Sequence, residues 1–458
     1  MSEESVTAAR VPAGRDPFAP GHLGELTQIV PFEMVDAALA EAGAVEQRTR
    51  RLPSRVVVYL LLAGSLFSEI GLGQVWARLC SGLEGVEPTA PAPSAVSAAR
   101  RRVGVAPLRV LFDLLRGAQT GPATRAGVFW RSRLVTALDG SILCCPDTEA
   151  NLAVYRKGRG HGATGYPMVR VLSLLACGTR TVVDAVFGSD ALGELGYLEA
   201  LSRSTGPGMI VLADRNFDAA RAITTITTTG ADVLVRLKNT RRPHVEATLP
   251  DGSYLTHIAG VRIRVITARI TITTDHGSRH EHYRVATTVL DPEIPATEIV
   301  ELYHQRWEIE TSFAEIKSST LHGRVLRSRT PIGVAQEIYA LLITYQALRI
   351  AISDSTLHRP DLDPDRASFT VALHAARDQV VAAAGIITAT VIDLVGVIGV
   401  HVLAALLPPR RTRSGPRVVK RAISKFAAST THGRHHGPTR KAKINIEVQP
   451  ILTSPAPP

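Results

Sequence analysis

The chain has 458 residues, 45% of them apolar, which is enough for several domains and a sizeable core. Its net charge of +11 points to a polyanionic partner. Four cysteines without CxxC spacing exclude a zinc framework and read as reduced core residues of a cytosolic protein.

The opening MSEESVTAARVPAGRD is polar and lacks the apolar stretch of a signal peptide, so residues 1–20 are expected to be disordered. Residues 21–125 read as a helical domain. LTQIVPFEMVDAALAEAG comes first, then RVVVYLLLAGSLF, apolar all round and so expected to be buried. GLGQVWARLCSGL and a Pro-rich turn follow, and then a helix with Ser94 as its expected N-cap and Arg100, Arg101 and Arg102 along it. Helix, turn and basic helix is compatible with helix-turn-helix DNA binding, and the same arginines would also suit the solvated face of an ordinary bundle.

After Trp130 the period changes. Residues 126–238 give three strands (RLVTALDGSIL, YPMVRVLSLLACG, RTVVDAVFG), a helix, the strand GMIVLA, a second helix and the strand ADVLVRLK. This is a mixed α/β order. Residues 239–296 turn β-rich, 297–350 return to helix, and 351–409 form a C-terminal helical region. The apolar run Ile386 to Leu407 is broken by Asp393 and His401, so a buried element is expected there rather than a membrane span. Residues 410–458 read as a flexible basic tail. Arg410 to Lys443 holds eleven Lys or Arg and no acid, leaving 41 basic and 41 acidic residues elsewhere. His432, His435 and His436 belong to that arm.

The chemistry concentrates in Glu298 to Leu321, EIVELYHQRWEIETSFAEIKSSTL. As one continuous α-helix, Tyr303, Arg306, Glu310 and Lys317 fall at roughly 0°, −60°, −20° and −40° on the wheel. Glu301, Glu308 and Glu315 project at roughly 120° to 160°, towards the other side. A carboxylate flanked by cations on one stripe suits a site that holds a metal and a phosphate together. A solvated helix with Glu–Lys pairs four apart has a similar composition. Two further carboxylates favour the site. Asp139 ends the strand LVTAL before Gly-Ser, and Asp214 ends MIVLA before Arg-Asn-Phe. A carboxylate at the mouth of a buried strand is costly without a partner. Three converging at one sheet edge would repel one another, and Mg²⁺ or Mn²⁺ relieves that repulsion. Two such ions can support in-line phosphoryl transfer. Asp147, Glu149 and Asp184 read as surface or turn groups, Asp218 as a helix cap, and Trp307 as packing.

These motifs resemble a bacterial insertion-sequence transposase of the DDE type, in the insertion sequence 4 family. Tyr303, Arg306, Glu310 and Lys317 reproduce that family's spacing, and the contexts of Asp139 and Asp214 match it as well. LGELTQIVPFEMVDAALAEAG and LFDLLRG resemble its N-terminal domain. The resemblance implies an RNase H-like catalytic domain interrupted by the β-rich insertion. It implies Asp139, Asp214 and Glu310 as the metal-binding catalytic triad, with Tyr303, Arg306 and Lys317 gripping phosphates near the cleaved end. For a base flipped during hairpin formation, residues 239–296 offer Tyr254 and Tyr283 and no tryptophan. The expected protein is a cytoplasmic, nucleoid-associated enzyme that binds double-stranded DNA, both transposon ends and target, and works as at least a dimer in synapsis. A nuclease on the same fold without strand transfer, or a catalytically silent DNA-binding descendant, are the alternatives.

Overall fold

A computed structural model describes residues 21–48, 50–83, 89–120, 127–157, 165–357, 359, 361–386, 396–408, 413–414 and 440–450. The expected disorder of residues 1–20, most of the Gly-rich turn at 156–165 and the tail histidines lie outside them.

Five helices open the fold: α1 (Phe32–Glu41), α2 (Ser54–Leu66), α3 (Leu72–Cys80), α4 (Pro93–Val103) and α5 (Ala106–Leu115). The apolar α2 is buried on nearly every side, with Tyr59, Leu60 and Leu62 wholly enclosed. Each such side chain contributes about 1.5–3 kcal/mol of transfer free energy. α4 starts one residue earlier than expected. Pro93 takes its first turn, where a missing N–H costs nothing, so Ser94 lies inside the helix instead of capping it. Gly104, at φ +68°, ends it.

The chain then builds one mixed sheet. Its strands are β1 (Phe129–Trp130), β2 (Arg133–Cys144), β3 (Met168–Ala176), β4 (Val182–Ser189), β5 (Met209–Ala213) and β6 (Asp232–Arg236). β7 (Ala247–Thr248), β8 (Tyr254–Ile258), β9 (Val261–Thr274) and β10 (Gly277–Thr287) follow. The order is β4-β3-β2-β5-β6-β10-β9-β8-β7, with β1 beside β2. β2, β5 and β6 are parallel and the other pairings antiparallel. The β-rich segment therefore prolongs the same sheet through the β6–β10 pairing.

Helices α6 (Glu149–Leu152), α7 (Gly193–Ser202) and α8 (Ala220–Thr227) interrupt the strands. After them come α9 (Ala296–Tyr303), α10 (Trp307–Ala314), α11 (Pro331–Ser355), α12 (Phe369–Val381) and α13 (Gly396–Ala404). The strand alternation sorts two cores. Val135 and Ala137 face the large one, which runs from Leu60 on α2 through Ile309 and Leu341 to Ile398 on α13. Leu138 and Val211 face the smaller one, with Phe217 and Ile223 on the side of α7 and α8. Thus the N- and C-terminal helices share one core.

The segment 410–458 departs from the expected flexible arm at its far end. Short strands β11 (Arg413–Ser414) and β12 (Arg440–Lys441) pair with each other, and β13 (Lys443–Val448) pairs with β9. Ile444, Ile446 and Val448 alternate with polar residues, which gives β13 one face to pack. No helix among the described residues is long and apolar enough to cross a membrane.

Candidate active site

Asp139 does not end its strand. β2 runs on to Cys144, still paired with β3 through Asp139 opposite Ser173. What ends is the parallel neighbour, since β5 stops at Ala213 opposite Leu138. The next residue of each strand is an aspartate, so Asp139 and Asp214 emerge together at the carboxyl end of the parallel pair, where open α/β sheets form their crevices. The Asp214 carboxylate accepts from the Asn216 N–H at 2.8 Å, and that of Asp139 from the Gly140 N–H at 2.8 Å. Burial, then the charge of Asp214, push the Asp139 carboxyl up to about 7.

The third carboxylate arrives on a segment that is not one continuous α-helix. α9 gives way to a 3₁₀ turn at His304–Arg306, α10 follows, and Glu315–Thr320 is π-helical. π turns inside helices recur at functional sites. Despite the changed pitch, Tyr303, Arg306, Glu310 and Lys317 all line one open cleft of about 520 Å³ together with Asp139 and Asp214. Arg306 Nη2 lies 2.8 Å from Glu310 Oε1, and Nη1 lies 3.8 Å from Asp139 Oδ2. Its guanidinium thus occupies the gap between two carboxylates. No three His, Cys, Asp or Glu side chains among the described residues stand close enough to hold an ion.

The buried Tyr303 hydroxyl donates to the Ala213 carbonyl at 3.1 Å, tying α9 to the end of β5. Burial raises its pKa. Lys317 Nζ donates to Ser141 Oγ at 3.2 Å, and burial lowers its pKa.

The opposite face of this segment is anchored in the core. Arg180, in the β3–β4 turn, lies 2.6 Å from Glu308 and 3.2 Å from Glu315, and it also pairs with Asp365. Arg349 pairs with Glu315 too, and the Tyr345 hydroxyl donates to Glu315 Oε2 at 3.0 Å. Glu308 and Glu315 therefore project away from the cleft, as the wheel requires, while Glu301 is exposed.

Several residues outside the signature stripe line or border the cleft. Arg236 ends β6, and its guanidinium lies 3.8 Å from the centre of the Tyr283 ring. Tyr283 stands edge-on to Tyr303 at 6.4 Å, whereas Tyr254 is buried in the smaller core. Trp307 is 42% exposed and lines the cleft, 5.2 Å from the Arg306 guanidinium, so it is not the packing residue the sequence suggests. On a 3₁₀-to-α junction the wheel angle no longer assigns it to the core.

The N-terminal arginines lie apart from this cleft and differ from one another. Arg100 donates to Ser328 Oγ at 2.9 Å and to the Gly333 carbonyl at 3.3 Å. Arg102 pairs with Glu46 at 2.8 Å and donates to the Leu52 carbonyl. Arg101 is exposed. Two acids also differ from expectation. Asp184 is wholly buried in β4, where Arg203 and Ser204 satisfy it. Asp218 is buried against Arg241 and accepts from the Lys238 N–H, so it does not cap α8. Asp147 pairs with Lys157, and exposed Glu149 begins α6.

Comparison with known proteins places the chain. Residues 130–347 match the transposase DDE domain, and residues 20–113 match the insertion element 4 transposase N-terminal region. The chain therefore belongs to the DDE transposases. Within that class it is a member of the insertion element 4 family. It is 26% identical to the transposase InsG for insertion sequence element IS4 of Escherichia coli over 409 residues, covering 86% of this chain and 91% of that one. A second Escherichia coli sequence, InsZ, is 25% identical over half of this chain and 79% of its own length. A solved piggyBac transposase synaptic complex with hairpin DNA is similar over 87% of both chains, with a TM-score of 0.41 and 11% identity.

Proposed function

We propose that this transposase binds the terminal inverted repeats of its own insertion sequence, cleaves the DNA at those ends and joins the freed 3′-hydroxyls to target DNA. Asp139, Asp214 and Glu310 would hold Mg²⁺ or Mn²⁺. The observation that carries this reading is that all three carboxylates line one open cleft together with Arg306 and Lys317. The β4-β3-β2-β5-β6 order, with β2, β5 and β6 parallel, supports reading the sheet as RNase H-like.

The donor types suit a hard divalent cation, which would require Arg306 to leave the gap between Asp139 and Glu310. The carboxylates lining the cleft come with no His or Cys beside them, and burial, then the charge of Asp214, hold a proton on Asp139 up to about pH 7. Bound ions would activate a water or a 3′-hydroxyl and stabilise the leaving oxygen. Arg306 would release Glu310 and grip a DNA phosphate, for which its planar fork is suited. Lys317 would add a second cation, and Tyr303 would keep the signature segment on β5. The exposed Arg101 and the basic residues 410–443 would contact DNA backbone. Joining two ends implies at least a dimer on DNA.

The test is an end-bearing duplex incubated with Mg²⁺ and supercoiled target. Cleavage at the end and joined products are expected from the wild type. Cleavage without joining would identify a nuclease, and binding without Mg²⁺-dependent cleavage a silent descendant.

A further inference from the structure

A fourth carboxylate reaches the two aspartates from α7. Gly193, at φ +65°, turns the chain so that Glu194 falls in the first turn of that helix. The Glu194 side chain lies directly on Gly140, the residue after Asp139. A Cβ added to Gly140 would meet Glu194 Oε1 at 2.4 Å and Cγ at 2.6 Å. Arg170 on β3 fixes this placement, with Nη1 2.6 Å from Glu194 Oε1 and Nε 2.8 Å from Asp190 Oδ1. Asn216 stands beside both acids: its side chain favours the charged form of Glu194, and its backbone N–H donates to Asp214 Oδ1 at 2.8 Å.

We infer that Glu194 is a positioning residue for the catalytic aspartates, clamped by Arg170, orienting Asp214 through Asn216 and filling the space that Gly140 leaves beside Asp139. The inference rests on the proposed phosphoryl-transfer role of the cleft. The placement is costly, because burial and then the charge of Asp214 work against the Glu194 carboxylate. The Glu194 charge is matched only in part by Arg170. Here it deepens the negative potential that a divalent cation would meet, and partners of this kind typically change metal affinity or activity by about 10–100-fold.

The experiment uses the full chain as wild type, Glu194→Ala, Glu194→Gln, Gly140→Ala and the Gly140→Ala/Glu194→Ala pair. Two quantities are read: cleavage kinetics on an end-bearing duplex, and Mn²⁺ binding by electron paramagnetic resonance without DNA. Glu194→Ala is expected to lower kcat about 10–100-fold with little change in KM for DNA, and to weaken Mn²⁺ binding by a similar factor. Glu194→Gln keeps an acceptor for Arg170 and Asn216, so it should recover most of the kcat while Mn²⁺ binding stays weakened. Gly140→Ala should lose activity by displacing Glu194, and the double variant should fall no lower than Glu194→Ala alone. Wild-type kcat and Mn²⁺ affinity in Glu194→Ala would overturn the inference, as would losses that multiply in the double variant. If Glu194→Ala does not fold, Glu194→Gln decides by its Mn²⁺ affinity: weakened supports the role, unchanged overturns it. A wild type that does not cleave end DNA would overturn the transposition reading instead, and the Mn²⁺ comparison would still test Glu194.

Discussion

Glu310 and Glu315 stand five residues apart on the same segment and meet opposite environments. Glu315 is buried, and two arginines and the Tyr345 hydroxyl complete its coordination. Glu310 is partly exposed in a cleft, and its one ion-pair partner among the described residues, Arg306, also reaches towards Asp139. On the buried face Glu308 and Glu315 each have an arginine partner, and the result is a fixed helix orientation. On the cleft face matching is incomplete: Asp139 resists ionisation, and the buried Arg306 Nε has no hydrogen-bond partner among the described residues. Charge left uncompensated by the fold is charge available to a ligand.

This contrast can be broken from either face. Glu310→Gln should abolish end cleavage, by on the order of 10³-fold or more, while shifting Tm by no more than about 2 °C. A large loss of Tm would show that Glu310 belongs to the anchored face. Arg180→Met leaves Glu308, Glu315 and Asp365 short of a cation, and should cost about 3–5 kcal/mol in urea unfolding. An unchanged midpoint would remove the anchor.

The pH dependence sharpens the cleft side. Asp139 has a folded pKa raised to about 7 against an ordinary value of 3.8. Its contribution to stability is therefore fully present below the unfolded value and is lost as pH rises through about 7. Without metal or DNA, Tm should fall by a few degrees between pH 5 and pH 8, and Asp139→Asn should flatten that part of the profile. The same proton should weaken metal binding below about pH 7.

The smallest effect separates neighbouring arginines. Arg101→Ala should leave Tm unchanged and reduce the salt slope of DNA binding by about 1. Arg100→Ala strands its Ser328 and Gly333 contacts and should instead cost roughly 1–3 kcal/mol of stability. Equal effects on both readouts would remove the distinction.

What was legible in the sequence follows from how local each signal is. The strand pattern and the buried α2 rest on short-range periodicity, and both appear in the structure. Asp139 and Asp214 were findable because a carboxylate closing an apolar run is rare. The same rule marks Arg236 after ADVLV, and a lone Asp184 inside TVVDAVF signals a buried pair rather than a surface group. Trp307 was misplaced because a uniform 100° step hid the 3₁₀ and π turns. Glu194 and Arg180 have no local signature at all. Their roles depend on contacts with Gly140 and with Glu308 and Glu315, made 54, 128 and 135 residues away in the chain. The strand at Lys443–Val448 was concealed by the basic run before it.

Iron-mediated self-cleavage tests the convergence of the three carboxylates most directly. Fe²⁺ replaces Mg²⁺ in the purified protein, and peroxide then generates radicals that cut the backbone beside the bound ion. Cuts near residues 139, 214 and 310 are expected together, suppressed by excess Mg²⁺ and lost in Asp139→Asn. Cuts confined to the tail, or a pattern indifferent to Mg²⁺ and to Asp139→Asn, would contradict a shared metal site in this cleft.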